Sequence, residues 1–123
     1  MVGDSFNSFV NLTPHAIVLR SSDGKETTIP PSGIVARVSA IEESRPDIQG
    51  IPAIHRRWGP VNFGIELAAD HIYLVSSLVL SGLESHSAMI PSHAVIAAPD
   101  TGDTAIRDEK GQIKAVTRLV MLR

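Results

Sequence analysis

The stretch Ile72-Tyr73-Leu74-Val75-Ser76-Ser77-Leu78-Val79, followed downstream by Ala94-Val95-Ile96-Ala97-Ala98-Pro99-Asp100, decides the fold. Ile72 to Val75 is a continuous apolar run containing β-branched and aromatic residues, as in a buried strand. Ser76 and Ser77 then offer hydroxyl oxygens to the free N–H groups of a helix's first turn. Leu78, Val79, Leu83 and His86 recur at helical spacing. Gly82 costs such a helix about 1 kcal/mol relative to alanine, and Pro91 cannot continue it, so the helix is expected to be short. Ala94 to Ala98 is a second buried strand, closed by Pro99-Asp100-Thr101-Gly102-Asp103. Strand, helix and strand within about 30 residues is the spacing of a right-handed crossover between parallel strands.

Upstream the pattern is one of short strands and turns. Phe9 to Leu12, Ala16 to Arg20 and Lys25 to Ile29 read as strands, with Thr13-Pro14-His15 and Ser21-Ser22-Asp23-Gly24 as punctuation. Pro30-Pro31-Ser32-Gly33 turns again into Ile34 to Ser39. The polar run from Ile41 to Gly50 reads as an exposed loop, and Ile51 to Trp58 as an edge or irregular strand because of Pro52. Downstream, Thr104 to Arg107 and Ile113 to Thr117 flank Asp108-Glu109-Lys110-Gly111 as a hairpin, and Leu119 to Leu122 forms a last strand. The expected fold is α+β: mainly antiparallel β, with one short helix in a strand-helix-strand unit. The 123 residues make a single small domain, with residues 1–8 as a flexible N-terminus.

Composition narrows the function classes. A formal net charge of −2 argues against blanketing extended nucleic acid, which calls for a strong basic excess. The sequence has no cysteine, which rules out disulfides and thiolate metal sites within it. No apolar stretch approaches a membrane span, and the opening Met1-Val2-Gly3-Asp4 has no signal-peptide pattern. A cytoplasmic protein is expected. Arginine outnumbers lysine eight to three, and its planar fork suits phosphate and carboxylate.

Most motifs are weak. Asp100-Thr101-Gly102 is the aspartic-protease triplet, but it lies too close to the end for the flap and second core that follow it in such enzymes. His86 and His93 are the nearest histidine pair, while His15, His55 and His71 are isolated; no metal-ligand spacing occurs and no cofactor is expected. Glycine-rich phosphate loops and nucleophile elbows are absent.

One constellation remains. Ligands of parallel sheets settle beyond the carboxyl ends of the strands, where Ser76, Ser77, Asp100 and Thr101 stand. The helix starting at Ser77 has no acidic residue in its first turn, so its N–H groups suit an anion. Arg107 could add a bidentate contact, and Asp100 could accept from hydroxyls. Arg56-Arg57-Trp58 sets two guanidinium forks beside a stacking surface and could reach in from elsewhere or from a neighbouring copy. The opposing account is that the serines only cap the helix, Asp100 only makes its turn, and Trp58 packs inward.

Asn11-Leu12-Thr13-Pro14-His15, Pro31-Ser32-Gly33 with Ala36-Arg37-Val38, Tyr73 to Val79, Ala98 to Gly102 and Arg107 to Ile113 together resemble a family of small, largely uncharacterised bacteriophage and prophage proteins. The resemblance spans nearly the whole chain from Asn11, and it brings no catalytic residue with it. Phage proteins of this size often serve as anti-defence factors. One type is a symmetric sponge that sequesters cyclic nucleotide or cyclic ADP-ribose immune signals without cleaving them. The resemblance thus implies nucleotide binding for immune evasion in the host cytoplasm.

The expected activity is non-catalytic binding of a nucleotide-like anionic small molecule by a homo-oligomer. Its site would comprise Ser76, Ser77, Asp100, Thr101, Arg107, Arg56, Arg57, Trp58 and His15. Two alternatives stand beside it: a small hydrolase of phosphoester or glycosidic bonds using Asp100, Asp103 or His15, and a structural or protein-inhibiting interaction module.

Overall fold

A computed structural model describes residues 8–86 and 90–123. In chain order the elements are β1 (Ser8–Asn11), β2 (Ile17–Arg20), β3 (Glu26–Ile29), β4 (Arg37–Ile48), β5 (Ile51–Asn62), β6 (His71–Leu74), α1 (Ser77–Ser85), β7 (Val95–Pro99), β8 (Ile106–Arg107), β9 (Ile113–Ala115) and β10 (Leu119–Met121). Strands dominate, and one short helix accompanies them. Of the expected flexible N-terminus, residues 1–7 lie outside the described residues, while Ser8 already opens β1.

The central sheet has the order β1-β6-β7-β10. β6 pairs parallel with both β1 and β7, so β6, α1 and β7 form the expected strand-helix-strand unit. β10 runs antiparallel to β7. The central sheet is therefore mixed and not purely antiparallel: β7–β10 and the three hairpins β2–β3, β4–β5 and β8–β9 are antiparallel, while β6 is parallel to both its neighbours. The reason lies at Asn11. Its side chain is 1% exposed and fully bonded: Nδ2 donates to the carbonyls of His15 (2.8 Å) and Ile29 (3.1 Å). Oδ1 accepts from the backbone N–H (2.9 Å) and hydroxyl (2.7 Å) of Thr13. This knot turns the chain out of the sheet, so β1 pairs with distant β6 instead of β2.

Both faces of the sheet are covered, which explains the unbroken apolar runs. On one face Tyr73, Val75, Ile96 and Ala98 meet Leu12 and the buried stripe of α1, Val79, Leu80 and Leu83. On the other, Leu74 and Ala97 meet Ile17, with Phe9, Leu19, Ile29 and Leu119 packed around them. Alternation with period two sorts these residues between the faces. Ser76 caps α1, its Oγ accepting from Val79 N–H at 3.2 Å. Leu78, expected on the buried stripe, is exposed instead.

The expected loop from Ile41 to Gly50 is not a loop. It belongs to a hairpin arm of two twelve-residue strands, closed by Gln49 (φ 50°) and Gly50 (φ 80°). Two consecutive positive φ values are what a two-residue hairpin turn with the sheet's own twist requires. Across the arm Glu42 faces Arg56, Glu43 faces His55 and Ser44 faces Ile54. Exposure of this segment follows from its polarity, but its extended form comes from cross-strand pairing. At its base, Val38 and Val61 pack against α1 at Gly82.

Candidate functional site

β6 and β7 are adjacent and parallel, so their carboxyl ends lie at one sheet edge, with Ser76-Ser77 at one end and Asp100-Thr101 at the other. Several of the polar groups there have internal partners. The Ser76 hydroxyl is occupied as the cap, and the Ser77 carbonyl accepts from Ser81 Oγ at 3.1 Å. Asp100 Oδ1 accepts from Gly102 N–H at 3.0 Å, closing an aspartate turn. Its Oδ2 accepts from Arg118 Nε at 2.5 Å and from Thr104 Oγ1 at 3.4 Å. The Gly102 N–H first, and then the Arg118 guanidinium, hold the Asp100 carboxyl below its ordinary range. Arg107 donates to the carbonyls of Gly111 (2.7 Å) and Thr101 (2.8 Å), so it fastens the β8–β9 hairpin to the loop after β7.

Arg56, Arg57 and Trp58 stand on β5, in the arm. Arg56 pairs with Glu42 at 2.7 Å and Arg57 with Glu43 at 3.2 Å, both across the hairpin and not with the Ser76–Asp100 edge. Trp58 lies opposite Ala40 and is half-buried.

His15 and Thr101 do come together. They border a groove of about 330 Å³ whose floor includes Ile17, Pro99, Ala115 and Val116 and whose rim carries Lys114. The groove exists because β2 and the chain after β9 run side by side. Val116 N–H donates to Val18 O, and Arg20 N–H to Val116 O, both at 2.8 Å. Lys114 has no carboxylate partner among the described residues. The result is an apolar slot with one ammonium, one imidazole and one hydroxyl at its margin. Neither Ser76 nor Ser77 borders it.

Sequence reasoning missed Lys114 and Arg118. Lys114 sits on β9, paired locally with β8, but what brings it beside His15 is the Leu19↔Val116 bridge just beyond β9, between residues 97 apart, and no local pattern announces that meeting. Arg118 had a signal. Once Pro99 is set opposite Leu119, the antiparallel register carries Asp100 to Arg118.

The histidines serve locally. His86 Nδ1 lies 3.2 Å from Gly82 O, and His93 Nε2 lies 3.3 Å from Leu67 O. Among the described residues no three His, Asp or Glu side chains converge on a point where a metal could sit. Nor is any helix among them long and apolar enough to cross a membrane. Comparison with protein-family models, with curated proteins and with solved structures returns no match.

Proposed function

We propose that the protein binds a nucleotide-like anionic small molecule without turning it over. It would act as a homo-oligomer in the cytoplasm of a bacterial host, as a bacteriophage anti-defence sponge. The observation that carries the ligand class is the groove joining His15, Thr101 and Lys114 over an apolar floor. Its volume falls within the roughly 300–1,000 Å³ range of small-molecule sites. A nucleobase has an apolar face for such a floor, and the unpaired Lys114 ammonium suits a phosphate. Asp100, one of the three residues of the hydrolase reading, has both oxygens already accepting internal bonds. A second reading, an interaction module, is favoured by the exposed arm, where Arg56 and Arg57 stand exposed on β5.

The test is native mass spectrometry of protein purified from bacterial cells, then denaturing release of whatever it carries. A stoichiometric nucleotide, unchanged after long incubation and lost in a folded Lys114→Glu variant, is the expected result. An empty protein whose melting temperature is unmoved by a panel of cyclic nucleotides and cyclic ADP-ribose would overturn the ligand and leave the interaction module.

A further inference from the structure

We infer that a second groove, between the β2–β3 hairpin and the central sheet, binds a small aromatic carboxylate. It shares only Val116 with the groove of His15 and Lys114, and the inference does not depend on the nucleotide reading. Four segments make its apolar floor: Phe9 from β1, Leu19 from β2, Val116 from the chain after β9 and Leu119 from β10. Phe9, Leu19 and Leu119 pack on the Leu74 and Ala97 side of the sheet, so the floor is an outlying part of that core layer. The groove holds about 270 Å³, just below the range of drug-sized ligands, which sets the ligand at one or two rings.

The rim is cationic. Arg20, Lys25 and Arg118 border the groove, and no carboxylate does. The acids nearby are bonded outside its wall. Glu26 Oε2 accepts from Nε and Nη2 of Arg20, and Asp100 Oδ2 from Nε of Arg118. Asp23 Oδ1 accepts from the Ser21 hydroxyl and the Lys25 backbone N–H. These bonds orient the two guanidinium groups without exhausting them. Among the described residues Nη1 of Arg20, both Nη atoms of Arg118 and Nζ of Lys25 make no hydrogen bond. The acids offset the rim at a distance, so the groove recognises its ligand by contact and not by a long-range field. Spare N–H donors over an apolar floor call for an apolar body with one anionic group. Guanidinium planes stack on aromatic faces, and Phe9 sets a ring in the floor, which favours an aromatic body over an acyl chain. Lys25 takes the carboxylate, because among the described residues its ammonium has no acid within ion-pair distance.

Three compounds on one ring system separate charge from shape: indole-3-acetate, neutral indole-3-ethanol and cationic tryptamine. Titrated into isotope-labelled protein, indole-3-acetate should bind saturably and shift the amide resonances of Leu19, Thr27 and Leu119. Its affinity should exceed that of indole-3-ethanol by about tenfold or more, the worth of one charge-assisted contact. Tryptamine should shift nothing. Lys25→Glu should weaken indole-3-acetate by about tenfold or more. Thr27→Trp, from an exposed position on β3, should fill the groove without altering its charge and block binding. Lys114→Glu should leave binding unchanged. Unmoved amide resonances of β6 and β7 would show that each variant is folded. Absent binding, equal affinity for the acid and the alcohol, or shifts that gather at His15 and Lys114 would each overturn the inference and leave the nucleotide reading to its own test.

Discussion

Gly82 of α1 faces Val38 at the root of the arm so closely that a Cβ built on the glycine would lie 2.6 Å from Val38 Cγ2. Here the arm and the core meet without room for a methyl group. Helix propensity alone would make Gly82→Ala stabilising by about 1 kcal/mol. Overpacking against a stiff β-branched side chain costs about 1–3 kcal/mol. The expected net result is a loss of about 1 kcal/mol, read by chemical denaturation. Adding Val38→Ala should recover part of it, giving a favourable coupling in the double-mutant cycle.

Asn11 is the polar centre of the molecule, with its donor group and its acceptor both satisfied. Asn11→Ala leaves the N–H of Thr13 and two carbonyls without their partner in a buried site. The expected loss is about 2–4 kcal/mol in denaturant melts. Asn11→Asp should fail as well, since it keeps the acceptor for Thr13 but sets an anion beside the carbonyls of His15 and Ile29.

Asp100 links stability to pH. Its folded carboxyl is held below the ordinary range, by Gly102 N–H and then Arg118, so the unfolded chain takes up this proton first as pH falls. The contribution is present above the unfolded value near pH 4 and is lost as pH falls through the depressed folded value. Asp23 acts in the same sense through Ser21 and the Lys25 N–H. Melting temperatures of Asp100→Asn should depend less steeply on pH between about 2 and 5 than those of the parent, with the Asp23 share remaining. An unchanged slope would show that neither the Gly102 N–H nor Arg118 holds this carboxyl down in solution.

Gly50 holds φ 80° at the tip of the arm, a conformation costly for any side chain. Gly50→Ala should destabilise the turn by about 1 kcal/mol. The effect should be local. Amide exchange in β4 and β5 should speed roughly fivefold while amides of β6 and β7 keep their rates.

The sequence was most legible where one local pattern sufficed. The run from Ile72 to Val79 specifies strand, cap and helix together, and Ser76 caps α1 as its chemistry requires. The arm was illegible because its evidence is split between strands. Glu42-Glu43 reads as a solvated loop until Arg56-Arg57 is laid across it, and Gln49-Gly50 is a weaker turn signal than Asn-Gly. For the site, sequence reasoning named His15 and Thr101 without a reason to join them. Lys114, which shares their groove, depends on the non-local meeting of β2 with the chain after β9. Asp100, named to accept from ligand hydroxyls, and Arg107, named for anion contact, turn out to fasten loops together.

The pairing of Ser8 with His71 closes a loop of more than sixty residues, and nothing in β1 is secured until that loop closes. The arm lies wholly inside it and needs only its own two-residue turn. Hairpins form in about 1–10 μs, whereas contacts of long sequence separation delay folding by orders of magnitude. As the chain emerges from the ribosome, then, both strands of the arm are free to pair while β1 still waits for a partner not yet made.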